Sequence, residues 1–223
     1  MPDRVRGLAI RAFVGLAAVF LLASCGGAAG NEKARKVSSQ GGASTYEIRS
    51  AHVSVAVPRD WETLTADQAV SGGAWDAFVA DNPDFAPYRD LITKADSPVK
   101  FIAVAPKDEQ GFGTNLNIIV SPVPREVGFD EYAKANMQQL AAMGSVARDS
   151  VEQELVTLPA GRAQKVSYRL SVVAAGKRRT VATLQYALLV DGKSYVLTYT
   201  TLPGEQGRWA DVFRRSAESF RLL

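Results

Sequence analysis

The stretch between residues 146 and 201 limits the fold more than any other part of the chain. It reads as four consecutive strands, at about 146–157, 162–174, 179–190 and 194–201, with gaps too short to hold a crossover helix. Strands joined this way must run antiparallel to their neighbours. In the second strand Val166, Tyr168, Leu170 and Val172 alternate with Lys165, Ser167, Arg169 and Ser171. One face is therefore buried and the other wet, as in a sheet covered on one side. Ala175-Gly176 and Asp191-Gly192 supply the turns, and Asp-Gly fits a type I′ hairpin.

The remaining segments add strands and helices to this sheet. Residues 52–57 alternate, with Val53, Val55 and Val57 on one face; Pro58 ends the strand and Trp61 follows at a core edge. Residues 99–104 and 115–120 read as two further strands. The loop 107–113 between them carries Gly111-Phe112-Gly113, and no Gly-Lys-Ser/Thr follows to make it a phosphate loop. Residues 129–143 form the clearest helix, with Phe129, Tyr132, Ala133, Met137, Leu140 and Ala141 as its apolar stripe. Asp130 and Glu131 suit its N-terminal end, and Gly144 is placed to terminate it. Trp209, Val212, Phe213, Ser216, Ala217 and Phe220 recur at helical spacing and give a closing helix. Residues 66–94 read as irregular helix broken at Asn82-Pro83, with scattered aspartates that mark a solvated face.

The N-terminus assigns a compartment. Arg4, Arg6 and Arg11 precede an apolar run over residues 12–23, the pattern of a secretory signal. The run is shorter than the ~18–20 residues of a membrane-spanning helix. Leu22-Ala23-Ser24-Cys25 resembles the lipobox of bacterial lipoproteins. That resemblance implies diacylglyceryl transfer to the Cys25 thiol and cleavage before it. Cys25 is the sequence's only cysteine, whereas an exported chain that used disulfides would carry cysteines in pairs. Residues 1–24 are thus the expected lipoprotein signal peptide, 25–44 the lipidated cysteine with a flexible tether rich in Gly, Ala and Ser, and 45–223 one globular domain. The expected location is the extracytoplasmic face of the cell membrane. Residues 1–24 hold three of the 26 basic residues and one of the 23 acidic ones, so the mature chain carries a net charge of only +1. That excludes the electrostatic footprint of a nucleic-acid binder.

Taken together, several motifs resemble the PsbP-like superfamily, and within it the LpqN/LpqT-type lipoproteins of mycobacteria and their relatives. They are Val57-Pro58 with Trp61, Leu158-Pro159-Ala160-Gly161-Arg162, Asp191-Gly192-Lys193-Ser194-Tyr195, and the terminal Ser219-Phe220-Arg221. The resemblance spans about residues 45–223. It implies an α+β fold, an α/β/α sandwich with a central antiparallel sheet. It implies partner binding rather than a common enzyme activity, and no functional residue to transfer.

The residues themselves point to no catalytic or metal centre. His52 is the sequence's only histidine, placed in a strand opposite the valine face, and no Gly-x-Ser-x-Gly elbow is present. No cofactor is expected, and a Cys–His zinc site is excluded by composition. Two main functional classes follow. One is a non-catalytic lipoprotein that binds an envelope protein or an amphipathic ligand. The other is a carboxylate-dependent hydrolase acting on envelope lipid or glycan; a purely structural lipoprotein is a third. The expected ligand site lies between segment 75–92 and the sheet, lined by Trp75, Phe78, Phe85, Tyr88 and Arg89. The competing reading is that these aromatics simply roof the sheet.

Overall fold

The computed structural model describes residues 36–40, 42–70, 73–174 and 177–223. The signal segment, Cys25 and the Ala175-Gly176 turn lie outside these residues. In chain order come β1 (Lys36–Gln40), β2 (Ala43–Ile48), β3 (Val53–Pro58) and β4 (Glu62–Thr65). Next are the short helices α1 (Ala66–Val70) and α2 (Gly73–Asp81), a 3-10 turn (Pro83–Tyr88) and α3 (Arg89–Ile92). Then follow β5 (Val99–Val104), β6 (Asn115–Pro122), α4 (Phe129–Ala142), β7 (Val146–Leu158), β8 (Gly161–Ala174), β9 (Lys177–Val190), β10 (Lys193–Thr201), α5 (Gln206–Ser219) and β11 (Arg221–Leu222).

Seven strands form the central antiparallel sheet in the order β4-β5-β6-β10-β9-β8-β7. The hairpin between β9 and β10 turns on Asp191 at φ 49° and Gly192 at φ 71°, the two positive angles of a type I′ turn. A Cβ at Gly192 would stand 3.2 Å from the Arg125 side chain and 3.3 Å from the Val123 carbonyl, so tight contacts add to the positive φ in favouring glycine there.

One face of the sheet is covered by α4 toward β7–β9 and by α1–α3 toward β4–β5. The other packs against α5 and a second, four-stranded sheet of order β1-β2-β3-β11. The α+β class and the central antiparallel sheet match the expectation, with one outer layer part helix and part sheet. The core on this side joins Val53, Val55 and Val57 to Phe101, Ile118, Leu197, Tyr199, Phe213 and Phe220. Trp61 is buried there, edge-on to Trp209 with ring centroids 5.6 Å apart.

Three local expectations differ from the structure. His52 precedes β3 rather than lying in it. It sits at φ 54° after a 3-10 turn, exposed, and its carbonyl accepts the Leu223 N–H at 2.9 Å. Gly144 does not adopt a left-handed angle; α4 instead ends at Met143 in extended conformation, and a turn over Gly144-Ser145, closed by the Val146 N–H donating to the Met143 carbonyl at 3.1 Å, leads into β7. Finally, β1 and the start of β2 fall within residues 36–44, expected as tether. Their composition is poor for a core, but β1 pairs through its backbone with β2, and Ser44 is buried opposite Val57. A truncation starting at Thr45 removes this pairing. It is therefore expected to lower the unfolding free energy by about 1 kcal/mol or more, at ~0.5–1.5 kcal/mol net per hydrogen bond lost. A truncation starting at Lys36 is the control, and denaturant unfolding of the two forms checks it.

Candidate functional site

Four of the five residues expected to line a cleft come together, but as one packed cluster, with Arg89 apart at the surface. Trp75, Phe78 and Phe85 are 1%, 2% and 0% exposed and pack with Ile92, Val99, Ile102, Val104 and Ile119. Phe78 and Phe85 meet edge to face at 5.0 Å. Tyr88 is half-buried beside this cluster, and Arg89 is at the surface, paired with Asp76 at 3.0 Å. The aromatics roof the sheet. The Asn82-Pro83 break does not splay the segment, because Asn82 stitches it. Its side-chain amide donates to Glu62 Oε2 at 2.6 Å and to the Phe78 carbonyl at 3.0 Å, and its own carbonyl accepts the Phe85 N–H. A small cavity of about 280 Å³ lies there, lined by Asp60, Glu62, Asp81, Asn82 and Lys107 among others.

A different arrangement stands out on the same face of the sheet, between α4 and α1–α3. Cross-strand register places Asn117 of β6 beside Thr198 of β10 and Gln185 of β9. The next row is Asn115, Thr200, Thr183 and Tyr168 of β8. All seven residues are 2% exposed or less. Such positions under a helical layer are ordinarily apolar. Two hydrogen bonds hold part of the group: Gln185 Nε2 donates to Thr198 Oγ1 at 3.3 Å, and Asn115 Nδ2 to the Gly113 carbonyl at 3.1 Å. Seven buried atoms have no protein partner. They are Asn115 Oδ1, Asn117 Oδ1 and Nδ2, Gln185 Oε1, Thr183 Oγ1, Thr200 Oγ1 and the Tyr168 hydroxyl. Burial also raises the Tyr168 pKa well above its ordinary value, so that phenol stays neutral.

Magnitude separates this patch from ordinary packing. A buried polar group left unsatisfied costs about 1–3 kcal/mol, and a whole domain's net stability is about 5–15 kcal/mol. Seven such atoms in two adjacent rows would consume a sum comparable with the net stability. By contrast, the neighbouring pair under α4 is satisfied: Asn136 Nδ2 donates to Gln164 Oε1 at 2.8 Å, and Gln164 Nε2 to the Ala133 carbonyl at 3.0 Å. Asn136 belongs to the buried stripe of α4, which the apolar pattern alone misses, while Ala141 is exposed.

The loop from 105 to 114 closes one end of the rows. Asp108 organises it, its carboxylate accepting the N–H groups of Gln110 and Phe112 at 2.8 Å each, and Gly111 turns at φ 72°. Phe112 is thereby buried among Tyr168, Val181, Leu140 and Leu202. On the outer side of Leu202 lies a cavity of about 420 Å³, lined also by Gln110, Arg179, Thr180, Pro203, Gly204 and Glu205. Arg179 donates to the Gln110 carbonyl at 3.3 and 3.4 Å.

Asp84, on the 3-10 turn, stands near this loop. Its Oδ2 is buried without a partner, and desolvation raises its pKa above the ordinary carboxylate value, offset in part by Lys107 and Arg179. The native state then holds a proton that the unfolded chain has lost, over the window from pH 3.8 up to the raised value. Stability contributed by protonated Asp84 is present below that window and lost as pH rises through it. Asp84→Asn is therefore expected to raise the denaturant midpoint at pH 7 and to flatten the pH dependence through that window. Unfolding curves at pH 3.5–7, on the scale set by ordinary carboxylates, check it.

Among the described residues no group of three or more His, Cys, Asp or Glu is placed to hold a metal ion, and no helix is long and apolar enough to cross a membrane.

With sheet and site described, the chain falls in the class of α+β proteins built on a central antiparallel sheet, with helices against one face and a helix and a smaller sheet against the other. No family model matches it, and no curated protein matches it. Solved structures similar to it include cyanobacterial PsbP (CyanoP) from Synechocystis, at 14% identity and TM-score 0.49, covering 84% of this chain and 99% of that one. LpqN, involved in cell envelope biogenesis of Mycobacterium tuberculosis, is similar at 15% identity and TM-score 0.44, covering 76% and 82%. The Ran-binding protein Mog1p of Saccharomyces cerevisiae is similar at 10% and 0.48, covering 81% and 95%. PsbP and LpqN are the groups that the sequence motifs resemble. At such identities and TM-scores, no partner or activity passes from these proteins to this chain.

Proposed function

We propose that this is a non-catalytic binding protein, held at the extracytoplasmic face of the cell membrane by a lipid on Cys25, that takes an amphipathic ligand or envelope partner. The observation that carries the binding part is the pair of buried polar rows, whose seven side-chain atoms have no partner in the protein. Their chemistry supports binding over catalysis. Amides, hydroxyls and a neutral phenol recognise a ligand by hydrogen bonds, and none is an activated base or nucleophile. Asp84, near the loop, has a buried carboxylate oxygen and charges at hand, but no histidine beside it, since His52 lies on a turn before β3. Native mass spectrometry of the domain purified from its own host tests the reading: a retained non-protein mass is expected, and bare polypeptide under gentle desolvation counts against it.

The anchor rests on the lipobox and is tested separately. Cys25→Ala is expected to abolish incorporation of a fatty-acid analogue and to leave precursor or soluble protein, since the thiol is the acceptor. Equal labelling of the variant and the native protein would remove the anchor from the account. Two or three acyl chains, at ~0.8 kcal/mol per buried CH₂, hold a protein stably at a membrane.

A further inference from the structure

We infer that the end of the domain where the chain enters β1 is a membrane-docking surface, at which Arg49, Arg215 and Arg221 meet the phosphates of anionic lipid headgroups. The inference deepens the anchor reading above and rests on it.

Strand register fixes which end this is. Lys36, the first residue of β1, stands opposite Tyr46, and Tyr46 opposite Val55. On the other side of β3, Arg221 stands opposite Ser54 and Leu222 opposite Val53. The turn Arg49–Ala51 joins β2 to β3 at that same end, and the His52 carbonyl accepts the Leu223 N–H there. Helix α5 runs toward it as well. Trp209, near the start of α5, meets Trp61 beyond the far end of β3, whereas Ser219 Oγ accepts the Ala56 N–H at 2.7 Å and Phe220 stands 6.0 Å from Tyr195. Strands lie ~4.8 Å apart, so Lys36 and Arg221, at the two edges of the four-stranded sheet, are within about 15 Å of each other.

Charge is placed unevenly along this axis. Arg49, Arg215 and Arg221 are exposed at the entry end. Arg49 and Arg215 have no carboxylate partner among the described residues, while Arg214 already pairs with Asp211 and Glu218. Arg221 is held in place, its Nη1 donating to the Glu218 and Phe220 carbonyls at 2.7 and 2.9 Å. Half-buried Glu47 opposes these charges, and Asp191 and Lys193 of the neighbouring hairpin offset each other. Leu223, 63% exposed, adds an apolar group beside them. The opposite end is acidic: Asp60, Glu62 and Asp81 line the 280 Å³ cavity with Lys107. The six residues of β3 separate the two ends by roughly 17–20 Å, beyond the ~8 Å over which physiological salt screens charge. The acidic end therefore does not cancel attraction at the basic one, and like-charge repulsion turns it from the bilayer.

A few arginines bind an anionic bilayer weakly, each strengthening attachment roughly fivefold. The anchor supplies the rest. Residues 25–35 reach no further than about 40 Å, so docking becomes an intramolecular step at high effective concentration.

Cys25 is the sequence's only cysteine, so the chain starting at Cys25 can be coupled at that one point to maleimide lipid in vesicles. The vesicles are phosphatidylcholine alone, or a two-to-one mixture of phosphatidylcholine and phosphatidylglycerol, each with a trace of nitroxide-headgroup lipid. On the mixed vesicles, backbone amide resonances of residues 49–52 and 221–223 are expected to broaden more than those of Gln110 and Gly204 at the other end. Phosphatidylcholine alone should abolish the difference. Arg49→Ala and Arg215→Ala, both exposed and unpaired, are each expected to lower the docked-to-free ratio roughly fivefold, and Arg178→Ala, at the start of β9, to leave it unchanged. Broadening that is equal at both ends, stronger at Gln110 and Gly204, or insensitive to phosphatidylglycerol or to Arg49 and Arg215 would overturn the surface. Chemical coupling keeps the two levels apart. Fatty-acid labelling of Cys25 in the host without docking here removes the surface and leaves the anchor, whereas docking here without labelling in the host removes the anchor.

Discussion

Truncation of Trp75 to alanine is expected to lower the unfolding free energy by about 3–5 kcal/mol, the usual cost of deleting a buried aromatic and leaving a cavity behind. Trp75 is 1% exposed in α2 and shares a cluster with Phe78, Phe85, Ile92 and Ile102, so neighbouring helices and strands have little freedom to collapse into the gap. Arg89→Ala, in α3 of the same roof, removes only an exposed pair with Asp76 whose side chains are 56% and 64% exposed. Such pairs contribute about 0–1 kcal/mol, so this variant should unfold close to the native protein. Chemical denaturation of the two variants tests the assignment of the segment as roof. A Trp75→Ala loss below about 1 kcal/mol would mean that the indole lines a surface cleft after all.

The second large effect is a contrast between two buried amides. Gln164→Leu leaves Asn136 Nδ2 and the Ala133 carbonyl without their partner, and is expected to destabilise by about 1–3 kcal/mol. Asn117→Leu removes two atoms that have no protein partner and replaces them with apolar atoms of similar volume. In ligand-free protein it is expected to be neutral or to stabilise by a similar ~1–3 kcal/mol. The two residues are equally buried, at 0% each, so burial alone predicts the same sign for both. Opposite signs in denaturant midpoints would identify the rows as groups kept for something other than folding.

The strands and their antiparallel order were legible because period and turn chemistry act locally. Val166 to Val172 alternates as a strand covered on one side must, and Asp191-Gly192 adopts the angles its residues favour. The candidate site was not legible for the same reason. Asn115-Leu116-Asn117, Thr183-Leu184-Gln185 and Thr198-Tyr199-Thr200 each alternate polar with apolar, the signature of a strand with one wet face. Only the tertiary cover of α4, α1–α3 and the Phe112 loop turns that wet face into a buried one. Gly111-Phe112-Gly113 was the local hint, an aromatic between glycines in a loop that the structure folds inward. The aromatics of segment 75–92 misled for the converse reason. Their spacing fits a helix face, and spacing does not say whether that face meets a ligand or the sheet.

The central claim is that the polar rows are retained for a ligand and not for the fold. Native mass spectrometry of the native domain and the Asn117→Leu variant, expressed side by side in the native host, tests it most directly. The account predicts a retained mass on the native protein and its loss from a variant that unfolds at the same or a higher denaturant concentration. Equal retention in both proteins, or a variant destabilised by more than about 1 kcal/mol as an ordinary core position would be, would contradict it.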